Sequence, residues 1–250
     1  MNPATAITQL QHSGCRYAFY YAPKGGAPVF HSNVDPHARF LSASIIKVPI
    51  LLAWVHLERQ GLASRAELCD LDAETQVKGA GFSWLLHGRH IPYADVLLMM
   101  IALSDNLCTN LVIRRVGLER LNQVFRDVLE LRDTALERKL FDYEARARGL
   151  DNWVSTADLI RLYDLIDALE PGERAWVEQM LEVNQDDALL KRNVPRDTIV
   201  FRHKTGSIEG VLNDWGYTDQ CKIFLLTNNV PDEQAVFPIF GNLGELMMEE

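Results

Sequence analysis

The sequence predicts an α+β fold in which strands from both ends of the chain form one antiparallel sheet beside a mainly helical centre. Segments rich in aromatic and β-branched residues occur near both termini, whereas the middle repeats apolar residues every three to four positions. No linker or internal repeat divides the 250 residues. We therefore predict a single domain, with an α/β part at about residues 1–42 and 196–250 and an all-α part at about residues 43–195.

The first strands are predicted from an aromatic run near the amino terminus. Residues 17–21 are strand-prone, and turn-forming proline and glycine at residues 23–26 separate them from a second short run around Val29. This pattern predicts a hairpin that opens the chain.

The central helices are predicted from apolar periodicity. From Ser44 to Gly61 the chain is apolar on nearly all sides, which is typical of a buried helix, and Pro49 lies in the first turns, where a missing N–H costs little. Further helices are predicted at residues 93–103, 106–116, 118–129, 156–169 and 174–183. After Pro195, strands are predicted at residues 198–204, 214–218 and 222–227, and a closing helix at residues 234–248.

Composition and charge exclude several classes of function. The formal net charge of −9 opposes binding to nucleic acid, because phosphate-tracking surfaces need clustered lysine and arginine. No apolar run is long enough to span a bilayer, so we expect no membrane insertion. The first residues lack the pattern of a secretory signal, so the sequence as written predicts a cytoplasmic protein; a removed leader would make it periplasmic or secreted.

The cysteines do not predict a metal site. Cys15, Cys69, Cys108 and Cys221 form no C-x-x-C pair and have no histidine at zinc-finger spacing. We expect free thiols, with no metal and no cofactor.

Three short motifs carry the candidate chemistry. They are Ser44-Ile45-Ile46-Lys47, Ser104-Asp105-Asn106 and Lys204-Thr205-Gly206. Any one of them alone has an ordinary structural explanation, such as a helix cap or a solvated lysine. The first motif is weak by itself, because a serine three residues before a lysine occurs by chance in most proteins, whereas each of the other two exact triplets occurs by chance in only about a few per cent of chains of this length. Their joint occurrence therefore indicates a functional site.

The spacing of the first motif predicts an activated nucleophile. Ser44 and Lys47 are one helical turn apart, so both side chains share a face. A neutral Lys47 could accept the hydroxyl proton, and a charged Lys47 would stabilise the alkoxide.

The other two motifs are placed to line a cleft around that nucleophile. Ser104 lies in a loop before a predicted helix and could relay a proton, and the Asn106 amide could hold a substrate carbonyl together with Lys47. Lys204 lies at the end of a predicted strand, and we expect its side chain to face the cleft. This side of the cleft would suit an anionic, peptide-like ligand. His203 falls on the other strand face, so we expect a structural role for it.

With these motifs the chain resembles the class A β-lactamase-like and penicillin-binding serine hydrolases, over about residues 40–218. The resemblance implies the β-lactamase-like fold and acylation of Ser44, with Lys47 and Ser104 handling protons.

The resemblance also implies how the substrate is held. Lys204 and Thr205 would bind a substrate carboxylate, and Asn106 would contact the substrate. The backbone N–H groups of Ser44 and Ser207 would form an oxyanion hole.

The chain departs from the family pattern in the loop before residue 156. Family β-lactamases carry a glutamate two positions after an arginine, where it activates the water that releases the acyl group; here Leu140 follows Arg138 at that spacing. Leucine cannot accept a proton, so Asp142 and Glu144 are the candidate deacylation bases. Glu144 could instead be an exposed carboxylate paired with a nearby arginine.

Two further charged features accompany this departure. By analogy with the family, Arg138 and Asp151 are expected to pin the loop. Glu209 follows the third motif, and it would repel a ligand carboxylate if it faced the cleft and would otherwise be solvated.

Three functions remain compatible with the sequence. The first is a serine hydrolase of β-lactam amides that forms an acyl-enzyme on Ser44, with deacylation that can be slow. The second is a D,D-peptidase or a small amidase or esterase of the same fold. The third is a non-turnover β-lactam-binding sensor or trap. In each case we expect a small β-lactam or peptide-like ligand, no nucleic-acid or membrane partner, and a monomer.

Overall fold

A computed structural model describes residues 3–249 and places a five-stranded antiparallel sheet between two layers of helices. The strands are β1 (Arg16–Pro23), β2 (Val29–Ser32), β3 (Phe40–Leu41), β4 (Leu68–Asp70), β5 (His90–Pro92), β6 (Ala135–Leu136), β7 (Asn152–Val154), β8 (Arg202–Ile208), β9 (Val211–Tyr217) and β10 (Cys221–Asn228). The α-helices are α1 (Pro3–His12), α2 (Lys47–Arg59), α3 (Tyr93–Ala102), α4 (Asn106–Val116), α5 (Leu118–Asp127), α6 (Tyr143–Ala147), α7 (Thr156–Asp167), α8 (Pro171–Glu182) and α9 (Glu233–Gly244). Short 3-10 helices cover Ala43–Ile46, Leu71–Ala73, Ser83–Leu85, Leu190–Asn193 and Glu245–Met248.

The main sheet joins the two ends of the chain. Its strand order is β2-β1-β10-β9-β8, and every pairing is antiparallel. Phe19 of β1 lies opposite Leu225 of β10, and Lys204 of β8 lies opposite Trp215 of β9. The predicted α+β class, the shared sheet and the opening hairpin are therefore confirmed.

Two hydrophobic cores lie on opposite faces of this sheet, because side chains alternate along each strand. On one face Trp215 and Phe224 pack against the central helices. On the other face Phe19 and Leu225 pack against α1 and α9. Strand β9 is buried along its whole length because helices cover both faces.

Helices α3, α4, α5 and α7 begin at the predicted residues, and capping side chains mark the starts of α4 and α7, whereas α8 begins at Pro171 and not at residue 174. Asp105 precedes α4, and its carboxylate accepts a hydrogen bond from the Cys108 N–H at 2.9 Å. Ser155 caps α7 in the same way through the Asp158 N–H. Of the described helices, none is long and apolar enough to cross a membrane.

The structure differs from the sequence prediction at both ends of the chain. The helix α1 precedes the hairpin, and it is held by the burial of Ala6, Ile7 and Leu10 in the second core. Strand β8 begins at Arg202 and not at residue 198, because its partner β9 ends at the residue opposite, Tyr217. Residues before Arg202 consequently have no strand in this sheet to pair with.

The segment predicted as all-α contains four short strands, and a fifth, β3, lies just before it. Strands β4 and β5 form a two-stranded sheet, and β3, β7 and β6 form a three-stranded one. They have only two or three residues each, too few to show an alternating pattern in the sequence. The second small sheet joins the chain before Ser44 to the loop that contains Leu140, since the Ser42 N–H donates to the Asn152 carbonyl at 2.9 Å.

Candidate active site

The segment that carries Ser44 is held from two sides. Ser44 lies in the 3-10 helix Ala43–Ile46, directly before α2. The Asn213 amide donates to the carbonyl of Leu41 at 2.9 Å, in addition to the Ser42 bond described above. Ala43 adopts a left-handed φ of 44°, a conformation that surrounding structure must impose on a residue with a side chain. Ser44 is partly exposed and lines a cavity of about 280 Å³.

Lys47 connects the first and second motifs. Its side chain is fully buried, and Nζ donates to the Ser104 carbonyl at 2.6 Å, the Ser104 hydroxyl at 3.1 Å and Asn106 Oδ1 at 3.1 Å. Burial, followed by the neighbouring charge of Lys204, holds the pKa of Lys47 well below its usual range. In its neutral form Lys47 has only two protons to donate to these three acceptors, so its lone pair can accept a proton from a hydroxyl group.

The Ser104-Asp105-Asn106 turn is rigid because Asp105 anchors it. Besides capping α4, the Asp105 carboxylate accepts hydrogen bonds from the Ser83 N–H and hydroxyl, both at 2.8 Å. A side chain at Gly81 would collide with this carboxylate, since a Cβ there would lie 2.1 Å from Oδ2. Ser104 has a left-handed φ of 54°, and Asn106 directs its Nδ2 towards the Lys78 carbonyl at 3.3 Å.

Strand β8 brings the third motif beside the nucleophile. A Cβ at Gly206 would lie 2.7 Å from the Ser44 nitrogen and 2.9 Å from the Ile45 nitrogen, so only glycine permits this approach. Ser207, the next residue, is exposed and lines the same cavity as Ser44. The cavity therefore joins Ser44, Asn106 and Ser207.

Lys204 and Thr205 are buried within β8 and contact an acid that sequence reasoning missed. The Lys204 ammonium donates to the Thr205 carbonyl at 2.8 Å, and burial lowers the pKa of Lys204 to about 8, while Asp186 and Asp214 oppose that decrease. The Thr205 hydroxyl donates to Asp186 Oδ2 at 2.7 Å. No local pattern in the sequence could reveal Asp186, because only the tertiary fold brings it to β8.

His203 lies on the face of β8 opposite Lys204, since side chains alternate along a strand. It is buried, stacks on Phe201 and contacts Asp214 Oδ1 through Nδ1 at 3.1 Å. The other Asp214 oxygen accepts a hydrogen bond from the Leu190 N–H at 3.0 Å. Burial raises the pKa of Asp214, and this pair ties β8 and β9 to the segment before β8.

The loop containing Leu140 closes the other side of the cavity. Arg138 and Asp151 form an ion pair in which Nη2 and Nε of the guanidinium both donate to Oδ1, at 2.7 Å and 3.0 Å. The Asn110 side chain holds the Leu140 backbone, accepting from its N–H at 2.8 Å and donating to its carbonyl at 3.0 Å. Leu140 thereby lines the cavity.

The two candidate bases lie outside the cavity lining. Asp142 caps α6, and its carboxylate accepts a hydrogen bond from the Ala145 N–H at 2.9 Å. Glu144 is exposed on that short helix. Arg146 lies 3.5 Å from Asp151. Between residues 139 and 149, the side of the cavity is formed by Leu140, Phe141, Tyr143 and Arg146.

Glu209 occupies the exposed turn between β8 and β9. It lines neither the cavity beside Ser44 nor the second cavity described below.

A helical region and an antiparallel sheet that meet at the Ser44 cavity define the β-lactamase-like fold class. The chain belongs to the beta-lactamase enzyme family, whose model matches residues 4–239. A search of curated protein sequences found no match.

Solved structures agree with this assignment. A β-lactamase from Sphaerobacter thermophilus is 27% identical, with a TM-score of 0.84 over 97% of this chain and 94% of that one. A structure of PBP-A is 22% identical, with a TM-score of 0.83 over 98% and 94% of the two chains. A leucine-to-glutamate variant of PBP-A, solved as an acyl-enzyme complex with penicillin G, matches equally well. At this identity the likeness to PBP-A concerns the fold.

Proposed function

We propose that this protein is a serine hydrolase that forms an acyl-enzyme on Ser44 and acts on β-lactam or related amides and esters. The observation that carries the proposal is the Lys47 amine, buried and bound to Ser104 and Asn106 one helical turn from Ser44. An amine with a depressed pKa supplies the base that a serine nucleophile needs when no histidine is present.

The proposed acylation follows from these contacts. Lys47 takes the Ser44 proton as Oγ attacks the substrate carbonyl. The Ser104 hydroxyl, which accepts from Nζ at 3.1 Å, passes a proton to the leaving group. The backbone N–H groups of Ser44 and Ser207 stabilise the oxyanion, supported by the close approach of β8 at Gly206. Lys204 and Thr205 are buried in β8 directly before Gly206, so they lie next to this site without lining its cavity.

We propose that release of the acyl group is slow. Leu140 lines the cavity, and an alkyl side chain cannot activate a water molecule. If a side chain of this loop does catalyse release, Asp142 and Glu144 are the candidates, and each would need the loop to move.

Slow release favours a second candidate function. A D,D-peptidase or an amidase or esterase could transfer the acyl group to an acceptor other than an activated water. A protein that keeps the acyl group and acts as a sensor or trap is compatible for the same reason.

The test combines a chromogenic cephalosporin with intact-mass measurement. We expect a stoichiometric burst of colour and a stable adduct on Ser44, and no adduct in a Ser44→Ala variant. Rapid steady turnover would support efficient hydrolysis and contradict slow release. The absence of an adduct under saturating cephalosporin would remove the proposed function.

A further inference from the structure

A second cavity adjoins the first on the Ser104 side. It has a volume of about 290 Å³ and shares Ala80 with the cavity that Ser44 lines. Ser104 and Asp186 both lie on its wall. If Ser104 protonates the leaving group, as proposed above, the leaving group must lie on this side, and the acyl part must lie in the first cavity beside Leu140.

The position of Asp186 is set by contacts from three elements. Its own N–H donates to Asn184 Oδ1 at 2.9 Å, and its Oδ1 accepts from the Ala188 N–H at 3.2 Å. The Asn184 amide in turn donates to the His203 carbonyl of β8 at 3.0 Å, and the Gln185 N–H donates to the Ala102 carbonyl at 2.9 Å. The carboxylate is therefore fixed between α3 and β8.

Asp186 is the hydrogen-bond acceptor for the hydroxyl group of Thr205 in β8. A threonine hydroxyl has a single proton, and Thr205 donates it to Asp186 Oδ2 at 2.7 Å. The same carboxylate and that of Asp214 stabilise the positive charge of Lys204 and offset its attraction for a ligand anion. The Thr205 hydroxyl therefore has no proton left to donate to an anionic ligand group, and the negative charge of Asp186 would repel that group.

We propose that Asp186 makes this wall selective against anionic leaving groups, so that the substrate is an ester or amide whose leaving group is neutral or cationic. The inference rests on the proposed acylation of Ser44 and narrows its substrate class. It replaces the expectation that Lys204 and Thr205 receive a substrate carboxylate. β-Lactams that carry a carboxylate on the leaving-group side would acylate Ser44 more slowly than matched donors without one, yet still faster than Ser44 releases the acyl group.

The reaction to be measured is the transfer of a phenylacetyl group from a thioester. Ser44 Oγ bonds to the carbonyl carbon and the C–S bond breaks; the thiol leaves with the electron pair of that bond and the proton that Ser44 gave up. Water later cleaves the ester, giving phenylacetic acid and free Ser44. Three donors share this acyl group and differ in the thiol, namely thioglycolate, its methyl ester and thiocholine, which are anionic, neutral and cationic.

The experiment compares kcat/KM for the three donors by following thiol release with a chromogenic disulfide reagent. For the wild type we expect the neutral and cationic donors to exceed the anionic one by on the order of tenfold or more, because like charges a few ångströms apart repel strongly in a partly buried site. In Asp186→Asn, which retains an oxygen acceptor, this preference should fall by about the same factor.

Asp187→Asn is the matched control. It removes the same charge from the neighbouring position, where an exposed carboxylate pairs with Lys191 at 3.1 Å and lines neither cavity. We expect its donor preference to equal that of the wild type. A wild type that prefers the anionic donor, or an Asp186→Asn variant with unchanged preference, would overturn the inference while Ser44 adducts still supported the proposed function. No adduct with any donor or cephalosporin would overturn both.

Discussion

In the proposed reaction, the two buried lysines would allow Ser44 to act as a nucleophile without a histidine partner. Lys47 and Lys204 are both completely buried, and burial disfavours the charged form of each. Lys204 further lowers the pKa of Lys47 by repulsion. The same burial that prepares the site for chemistry therefore destabilises the folded state.

Replacement of Lys204 with methionine should stabilise the protein at neutral pH. The pKa is 10.5 for the ordinary lysine and about 8 in the folded state. Below pH 8 the burial of charged Lys204 lowers the stability of the folded protein by about 3 kcal/mol, as expected for a shift of this size. Above pH 10.5 Lys204 is neutral in both the folded and the unfolded state, so this cost is absent. The free energy of unfolding of Lys204→Met should thus exceed that of the wild type at pH 7, and the excess should shrink as pH rises from 8 towards 10.5.

Urea denaturation at pH 7 and at pH 9.5 measures this difference, with the exposed Lys24→Met as a control that should show no such trend. A difference that stays constant between the two pH values would show that Lys204 is not the source of the penalty. The variant should also acylate more slowly, because loss of the Lys204 charge removes one cause of the low pKa of Lys47.

Replacement of Leu140 with glutamate should accelerate deacylation. A carboxylate at the cavity wall could take a proton from water, and a general base contributes on the order of a hundredfold or more. Decay of the Ser44 adduct, followed by intact mass, measures the rate. Leu150→Glu introduces the same side chain at an exposed position outside the cavity and should leave the decay unchanged. An adduct equally persistent in both variants would mean that the position of Leu140 is unsuited to activating water.

At the scale of elements, the site is assembled where β8, the Ala43–Ile46 turn and the small β3–β7–β6 sheet meet. Gly206 allows the backbone of β8 to approach the Ser44 nitrogen, and the Ser42–Asn152 hydrogen bond joins the nucleophile segment to the loop carrying Leu140. Each element contributes one side of the cavity, so a displacement of any one of them changes the distance between the reacting groups.

Gly206→Ala should weaken acylation by on the order of a hundredfold, because a shift of about 1 Å in β8 misplaces the groups around Ser44. Stopped-flow measurement of cephalosporin acylation tests this effect. Gly88→Ala is the control, since a Cβ there meets no atom within 4 Å. Equal acylation rates in the two variants would contradict the role assigned to the close approach.

At the scale of the whole molecule, the main sheet couples two cores. Adjacent residues of β10, such as Phe224 and Leu225, are both fully buried but face opposite cores. Because the strands belong to both cores at once, loss of packing on one face should destabilise the other.

We also expect light scattering to give the mass of a single chain in solution.

Leu225→Ala should lower the free energy of unfolding by about 2–5 kcal/mol, as is usual for a fully buried leucine. The second core contains Leu225, whereas Trp54 and Trp215 belong to the first. Tryptophan fluorescence and far-ultraviolet circular dichroism should therefore shift together in a single urea transition. Leu85→Ala, at a side chain 59% exposed, should change the stability little. Two separated transitions in Leu225→Ala would show that the cores unfold independently.

The sequence was sufficient for features that depend on neighbouring residues. Apolar periodicity and caps such as Asp105 locate the central helices, and the three motifs identify Ser44, Lys47 and Lys204 as candidates for one site. These signals are local, because a helix needs only the spacing of its own residues and a motif is read from adjacent positions. The same locality hid β3 to β7, which are too short to show a period, and led to a β8 strand that began too early.

Only the tertiary structure revealed contacts between residues far apart in the chain. The Thr205–Asp186 hydrogen bond and the hold of Asn110 on Leu140 join segments whose spacing in the sequence carries no signal. The depressed pKa of Lys47 likewise depends on burial by the surrounding helices and on the charge of Lys204, which arrives from a distant strand. Chain order therefore predicted which groups could react, whereas packing decided how buried and how close together they are.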